Sequence, residues 1–193
     1  MNKELIGIQK TEDYRLYSSP FVVGYQSEII RDCNIGYKHF NEIFNKDNKG
    51  TTLEYLRYNI FSLTIRSNYF YVLYQQIIAS VREFVGDDRP LWMQAWMNYH
   101  LPDEVLGWHG HSEKFLLHGY ISIDPKKTIT RFNDYVIENK VGNFYLGKTG
   151  DNHMHCVEVL EPYEGHRITL AFDVLDSYST NPGPATLSFI PIP

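Results

Sequence analysis

The chain has 193 residues, 43% hydrophobic and 21% charged, a length and balance that suit a packed globular core and exclude a disordered chain. A formal net charge of −5 removes the basic footprint expected of a nucleic-acid or anionic-membrane binder. No run of about 18 apolar residues is present, and the first residues hold no apolar stretch of signal-peptide length, so neither a membrane span nor a leader is expected.

Cys33 and Cys156 are the only cysteines, and two such distant residues read as reduced thiols of a cytoplasmic protein rather than a disulfide framework. Taken in chain order, "PFVVGY" (20–25) reads as a strand. Ile29, Cys33, Tyr37, Phe40 and Phe44 then recur at helical spacing. The turn-rich loop "NKDNKGTT" follows. A second helix is expected through Tyr69, Leu73, Ile77, Val81 and Phe84, stopped by Gly86. From residue 91 the pattern changes to short apolar or alternating runs: "WMQAWMNYH", "FLLHGYISI", "KTITRF", "DYVIE", "NFYLG", "HCVEVL", "HRITLAFDVL" and "TLSFIPI". Turn residues bound each run, and eight such runs predict a two-sheet jelly roll. The expectation is a single domain over 1–193, with helical support in 1–90 and an all-β core in 91–193.

The chemistry concentrates in the histidines. Of the eight, only His39 lies outside the interval from His100 to His166. In "WHGHSEKF" (108–115), His109, His111 and Glu113 alternate just before an apolar run. His153 and His155 sit at the start of another. Residues i and i+2 of a strand share a face, so His109 with His111 and His111 with Glu113 are both possible ligand pairs. Imidazole suits zinc, copper and iron alike. Arg167 lies inside the apolar run "HRITLAFDV", where a guanidinium is costly unless it meets an anion. Thr169, two residues on, presents a hydroxyl on the same face.

The segment "HCVEVLEPYEGHRITLAF" resembles the distal half of the 2-oxoglutarate- and Fe(II)-dependent oxygenases, which runs His-x-Val, then Pro, Gly and Arg-x-Ser/Thr. The segment "WMNYHLPDEVLGWHGHSEKFLLHGYISI" is similar to oxygenases of phages and marine bacteria. The resemblance spans roughly residues 92 to 175. It implies a double-stranded β-helix (jelly roll) with N-terminal supporting α-helices. It further implies Fe(II), O2 and 2-oxoglutarate, the last converted to succinate and CO2 as a small-molecule or protein side-chain substrate is oxidised. Carried over by position, His155 is the distal iron ligand, and His111 with Glu113 forms the first pair, with His109 as the alternate. Arg167 and Thr169 hold the far carboxylate of 2-oxoglutarate, and Asn98 and Tyr120 contact the co-substrate. The family's carboxylate is usually Asp, and His-x-His occurs in some relatives, so the first pair departs from the common pattern. His118 and His166 read as structural, and Cys156 as a buried thiol on the opposite face. A cupin-type metal dioxygenase or isomerase is one rival, though its glutamate falls four or five residues after the His-x-His pair. A non-enzymatic jelly-roll module is another, but it leaves Arg167 without a purpose.

Overall fold

A computed structural model describes residues 4–44, 50–52, 59–64, 66–176 and 188–193. The chain opens with a hairpin of β1 (Ile6–Lys10) and β2 (Tyr14–Ser18), followed by α1 (Pro20–Gly24), α2 (Gln26–Phe44), α3 (Ile60–Thr64) and α4 (Asn68–Val85). The strands β3 (Leu91–His100), β4 (Leu117–Asp124), β5 (Thr128–Phe132), β6 (Val136–Glu138), β7 (Asn143–Lys148), β8 (His155–Val159), β9 (Arg167–Leu175) and β10 (Ile190–Ile192) complete it. The larger sheet runs β1-β2-β7-β4-β9-β3-β10, and the smaller β6-β5-β8. All the pairings are antiparallel.

The expected helices and late strands are present, while the N-terminal expectations need two corrections. "PFVVGY" is helical at its start, because Ser19 Oγ accepts a hydrogen bond from Val22 N and Pro20 occupies the first turn, where its missing N–H costs nothing. The β1–β2 hairpin adds two strands ahead of the helices. Its β2 pairs with β7 from Tyr14↔Gly147 to Ser18↔Asn143, so residues before 20 extend the larger sheet as well as preceding the helices. Of the final run "TLSFIPI", Thr186 and Leu187 lie outside the described residues, and the strand covers Ile190–Ile192.

α4 is fixed at both ends: Ser67 Oγ accepts from Phe70 N, and Gly86 takes the left-handed conformation (φ 77°) that closes it. Its buried stripe, Phe70, Leu73, Ile77 and Val81, meets Ile29, Cys33 and Phe40 of α2. Together they cover one face of the larger sheet, where Met93, Ala95 and Met97 of β3 and Ile168, Leu170, Phe172 and Val174 of β9 project. Alternation sends the other parity, Trp96 and Asn98 of β3 and Arg167, Thr169, Ala171 and Asp173 of β9, toward the smaller sheet. A second cluster of Tyr14, Leu16, Trp96, Tyr120, Phe132, Ile137, Tyr145 and Ala171 fills part of that space. Apolar packing is thus strongest under the helices, and the jelly-roll interior is left partly polar.

Candidate metal and anion site

Between the sheets lies a slot of about 40 Å³, lined by Trp96, Asn98, His109, His111, His118, Tyr120, Thr130, His155, Arg167 and Thr169 among others. The two histidine segments, far apart in sequence, are joined by edge pairing. His109 N donates to His155 O and His155 N to His109 O, both at 2.9 Å, and Val157 N donates to Leu106 O at 2.8 Å. The segment 106–109 therefore runs along the free edge of β8. One potential ligand atom from each of His109, His111 and His155 falls within 4.8 Å of the others. Ring centroids are 4.3 Å apart for His109–His155 and 5.4 Å for His111–His155.

The donor set fits a divalent metal. The Nδ1 of His109 lies 2.8 Å from Gly107 O, and that of His155 lies 3.3 Å from His153 O. A carbonyl facing Nδ1 selects the tautomer with its proton there, which leaves the Nε2 lone pair for a metal. Burial pushes the His155 pKa down to about 3 and lowers that of His109, so both rings are neutral near pH 7, as ligation requires. His118 packs on the same cluster, 4.4 Å from His111 and 5.0 Å from His155. Its Nε2 is buried without a hydrogen-bond partner among the described residues, as is Nδ1 of His100.

Glu113 is not brought to this cluster. After His111 the chain enters a turn, closed by Phe115 N donating to Ser112 O at 2.9 Å, so strand alternation does not extend to residue 113. Glu113 is exposed, in a surface depression with Arg89, Lys114 and Lys148. His109 stands with His111 and His155 instead. His118, read from sequence as structural, shares the parity of Tyr120 and faces the slot, where it lies among the candidate site residues. No sequence motif points to Asp173. It is 4% exposed, and its Oδ1 lies 2.6 Å from Nδ1 of His111. The signal was available: Asp173 interrupts the same apolar run as Arg167 and has the same parity.

Arg167 is 3% exposed at the other end of the slot. Among the described residues no carboxylate lies within ion-pair distance of it. Among the described residues its one side-chain hydrogen bond is a long one, Nε to Thr128 Oγ1 at 3.4 Å. Burial lowers its pKa, and it in turn helps hold His100 at a pKa of about 4, after burial itself. Around it runs a polar network. Asn139 Nδ2 donates to Thr128 Oγ1 (3.1 Å), while Tyr120 Oη and Thr130 Oγ1 donate to Asn139 Oδ1 (3.2 and 3.1 Å). Thr169 Oγ1 accepts from Asn98 Nδ2 (3.3 Å), and Asn98 Oδ1 accepts from Thr51 (3.0 Å). Arg167, Thr169, Asn98 and Tyr120 thus all line the slot that the three histidines enter.

No family model and no curated protein matches the sequence. Among solved structures, HygX from Streptomyces hygroscopicus with iron bound superposes over 86% of this chain and 83% of its own, at 14% identity and a TM-score of 0.53. The fold of this chain is that of HygX. The form of HygX with nickel and 2-oxoglutarate bound agrees, at a TM-score of 0.52 and 13% identity over the same shares. The nickel complex of the non-heme monooxygenase ThoJ covers 79% of this chain and 69% of its own, at 9% identity and a TM-score of 0.51. An oxidoreductase of the 2OG-Fe(II) oxygenase family from Burkholderia pseudomallei, 13% identical, aligns over 57% of this chain at a TM-score of 0.44. The chain spans about three fifths of that protein's length (59%). At these identities the likeness to HygX and ThoJ establishes the double-stranded β-helix and no more.

Proposed function

We propose that this chain is a 2-oxoglutarate- and Fe(II)-dependent oxygenase, with iron on His109, His111 and His155. The observation that carries the reading is Arg167, a buried guanidinium with no acid partner among the described residues, lining the same slot as three convergent imidazoles. A buried, uncompensated charge costs several kcal/mol, and an incoming carboxylate relieves that cost through two parallel charge-assisted hydrogen bonds. On β8 and β5 the level of His155 and Phe132 is four residues from that of Val159 and Thr128, roughly 13 Å at strand rise. The long side chain of Arg167, which reaches Thr128, and a five-carbon dicarboxylate suit that span.

Iron bound at the triad supplies O2 activation coupled to conversion of 2-oxoglutarate to succinate and CO2. The chain's own residues do the rest. Arg167 and the Thr169 hydroxyl hold the far carboxylate, with Thr169 oriented by Asn98. Tyr120 is held by Asn139 against the slot wall. Trp96, Leu106 and Val157 give the slot its apolar walls. Half-buried His109 and His111 form its rim, so a small molecule or a protein side chain reaches the iron from that side. Cys33 and Cys156 are free and buried, which supports a reducing, cytoplasmic setting. No helix among the described residues is long and apolar enough to cross a membrane.

The cupin-type rival gains from the third histidine, since such centres use His-x-His pairs, but it gives Arg167 nothing to bind. The test is anaerobic: Fe(II) and 2-oxoglutarate added together should develop a visible charge-transfer band, and aerobic turnover should yield succinate. A protein that binds Fe(II) yet gives no band and no thermal stabilisation by 2-oxoglutarate is not this enzyme.

A further inference from the structure

A metal held by three imidazoles has no charged ligand, and the described residues place no carboxylate with the three ring nitrogens. One carboxylate nevertheless touches the cluster. Asp173, from the centre of β9, sets Oδ1 2.6 Å from Nδ1 of His111, with the two side chains 6% and 12% exposed. The contact does not meet hydrogen-bond geometry, and among the described residues Oδ1 has no other partner. A buried carboxylate oxygen left in that state is costly unless something else at the site uses it.

We infer that Asp173 is the carboxylate of this metal centre, acting through His111 rather than by ligation. The inference rests on the metal reading above. The three rings follow one rule: each Nδ1 faces an oxygen, Gly107 O for His109, His153 O for His155 and Asp173 Oδ1 for His111. With each Nδ1 so turned, Nε2 would be the metal-facing atom of each ring, and one ligand atom from each residue lies within 4.8 Å of the others. His111 alone has an anion against its Nδ1, which makes its imidazole the most electron-rich of the three and offsets the metal's charge from one shell out. β9 thus carries both charges of the site on one face. Arg167 is at the anion end and Asp173 at the metal end, six residues or roughly 20 Å of strand apart. A His-x-His pair can dispense with a carboxylate in its own segment because this strand brings one from behind. Asp173 is a positioning residue, and His118, its cross-strand partner, stacks on the His111 ring.

The test reads metal binding, without 2-oxoglutarate or turnover. Asp173→Asn, which keeps size and an acceptor oxygen, and Asp173→Leu should lower Co(II) affinity 10- to 100-fold and shift the Co(II) d–d bands. His109→Ala serves as the ligand-loss comparison. The parent protein provides a second measurement that requires no variant to fold. In the Zn(II) form, ¹⁵N–¹H correlation of the histidine rings should show His111 protonated on Nδ1 and metallated on Nε2. Unchanged Co(II) affinity and bands in both variants, or the opposite His111 tautomer in the Zn(II) form, overturns the inference and leaves the oxygenase reading standing. Failure of the parent protein to bind Co(II) or Zn(II) overturns both.

Discussion

Replacing Arg167 by Met separates an anion receptor from a structural cation. In the ligand-free protein the guanidinium is buried, makes one 3.4 Å hydrogen bond and meets no acid among the described residues. Removing half of a buried ion pair typically costs 3–5 kcal/mol, because the partner charge is stranded. Here no partner is stranded, and an uncompensated charge is exchanged for an apolar chain of similar length. The metal-free variant should therefore be at least as stable as the parent. Ligand binding should respond oppositely. Two charge-assisted hydrogen bonds to a carboxylate, at about 1.5–3 kcal/mol each, are lost, and part of that is returned by the desolvation no longer suffered. A net loss near 3 kcal/mol weakens 2-oxoglutarate about 150-fold. Thermal unfolding with and without metal, and titration of 2-oxoglutarate into the Fe(II) or Ni(II) form, measure both effects. A variant that is destabilised by several kcal/mol yet binds 2-oxoglutarate normally would refute the reasoning and make Arg167 part of the scaffold.

Three further outcomes are expected. His109→Ala and His155→Ala should each lose more than about 100-fold in Co(II) affinity, beyond the 10–100-fold typical of supporting residues, while Glu113→Gln should bind within a few-fold of the parent; calorimetric titration decides. Metal-free protein should lose stability as pH falls. His100 protonates at about 4 when folded but near 6.5 when unfolded, so between those values the unfolded chain binds more protons and unfolding is favoured by up to about 1.4 kcal/mol per pH unit. A melting temperature flat from pH 7 to 4.5 would contradict this. Gly119→Ala should destabilise by about 1–3 kcal/mol in denaturant titration, since a Cβ there runs into the Phe172 ring and the Tyr145 carbonyl on neighbouring strands. Wild-type stability in this variant would mean that β4 can shift away from β9.

Local patterning was enough for much of the scaffold. The 3.6-residue recurrence of Tyr69, Leu73, Ile77 and Val81 and the stop at Gly86 describe α4 as it stands, because helix geometry and a left-handed cap are properties of neighbouring residues. The period-2 alternation of "HRITLAF" likewise set Arg167 and Thr169 on one face before any partner strand was known. The β1–β2 hairpin was not legible: β1 is exposed along its length, so it carries no burial pattern, and β2 is stabilised by β7, more than 120 residues away. Within the site, the sequence determined that imidazoles and one misplaced arginine would matter, and it left His109 and Glu113 equal by alternation. Only the tertiary structure sets them apart in space. The turn at 112–115 takes Glu113 out to solvent, and pairing of residues 106–109 with the edge of β8 lays His109 against His155. Asp173 belongs to the same lesson. Its charge was visible in the run, but its place behind His111 depends on a loop folding onto a strand, and no local periodicity encodes that.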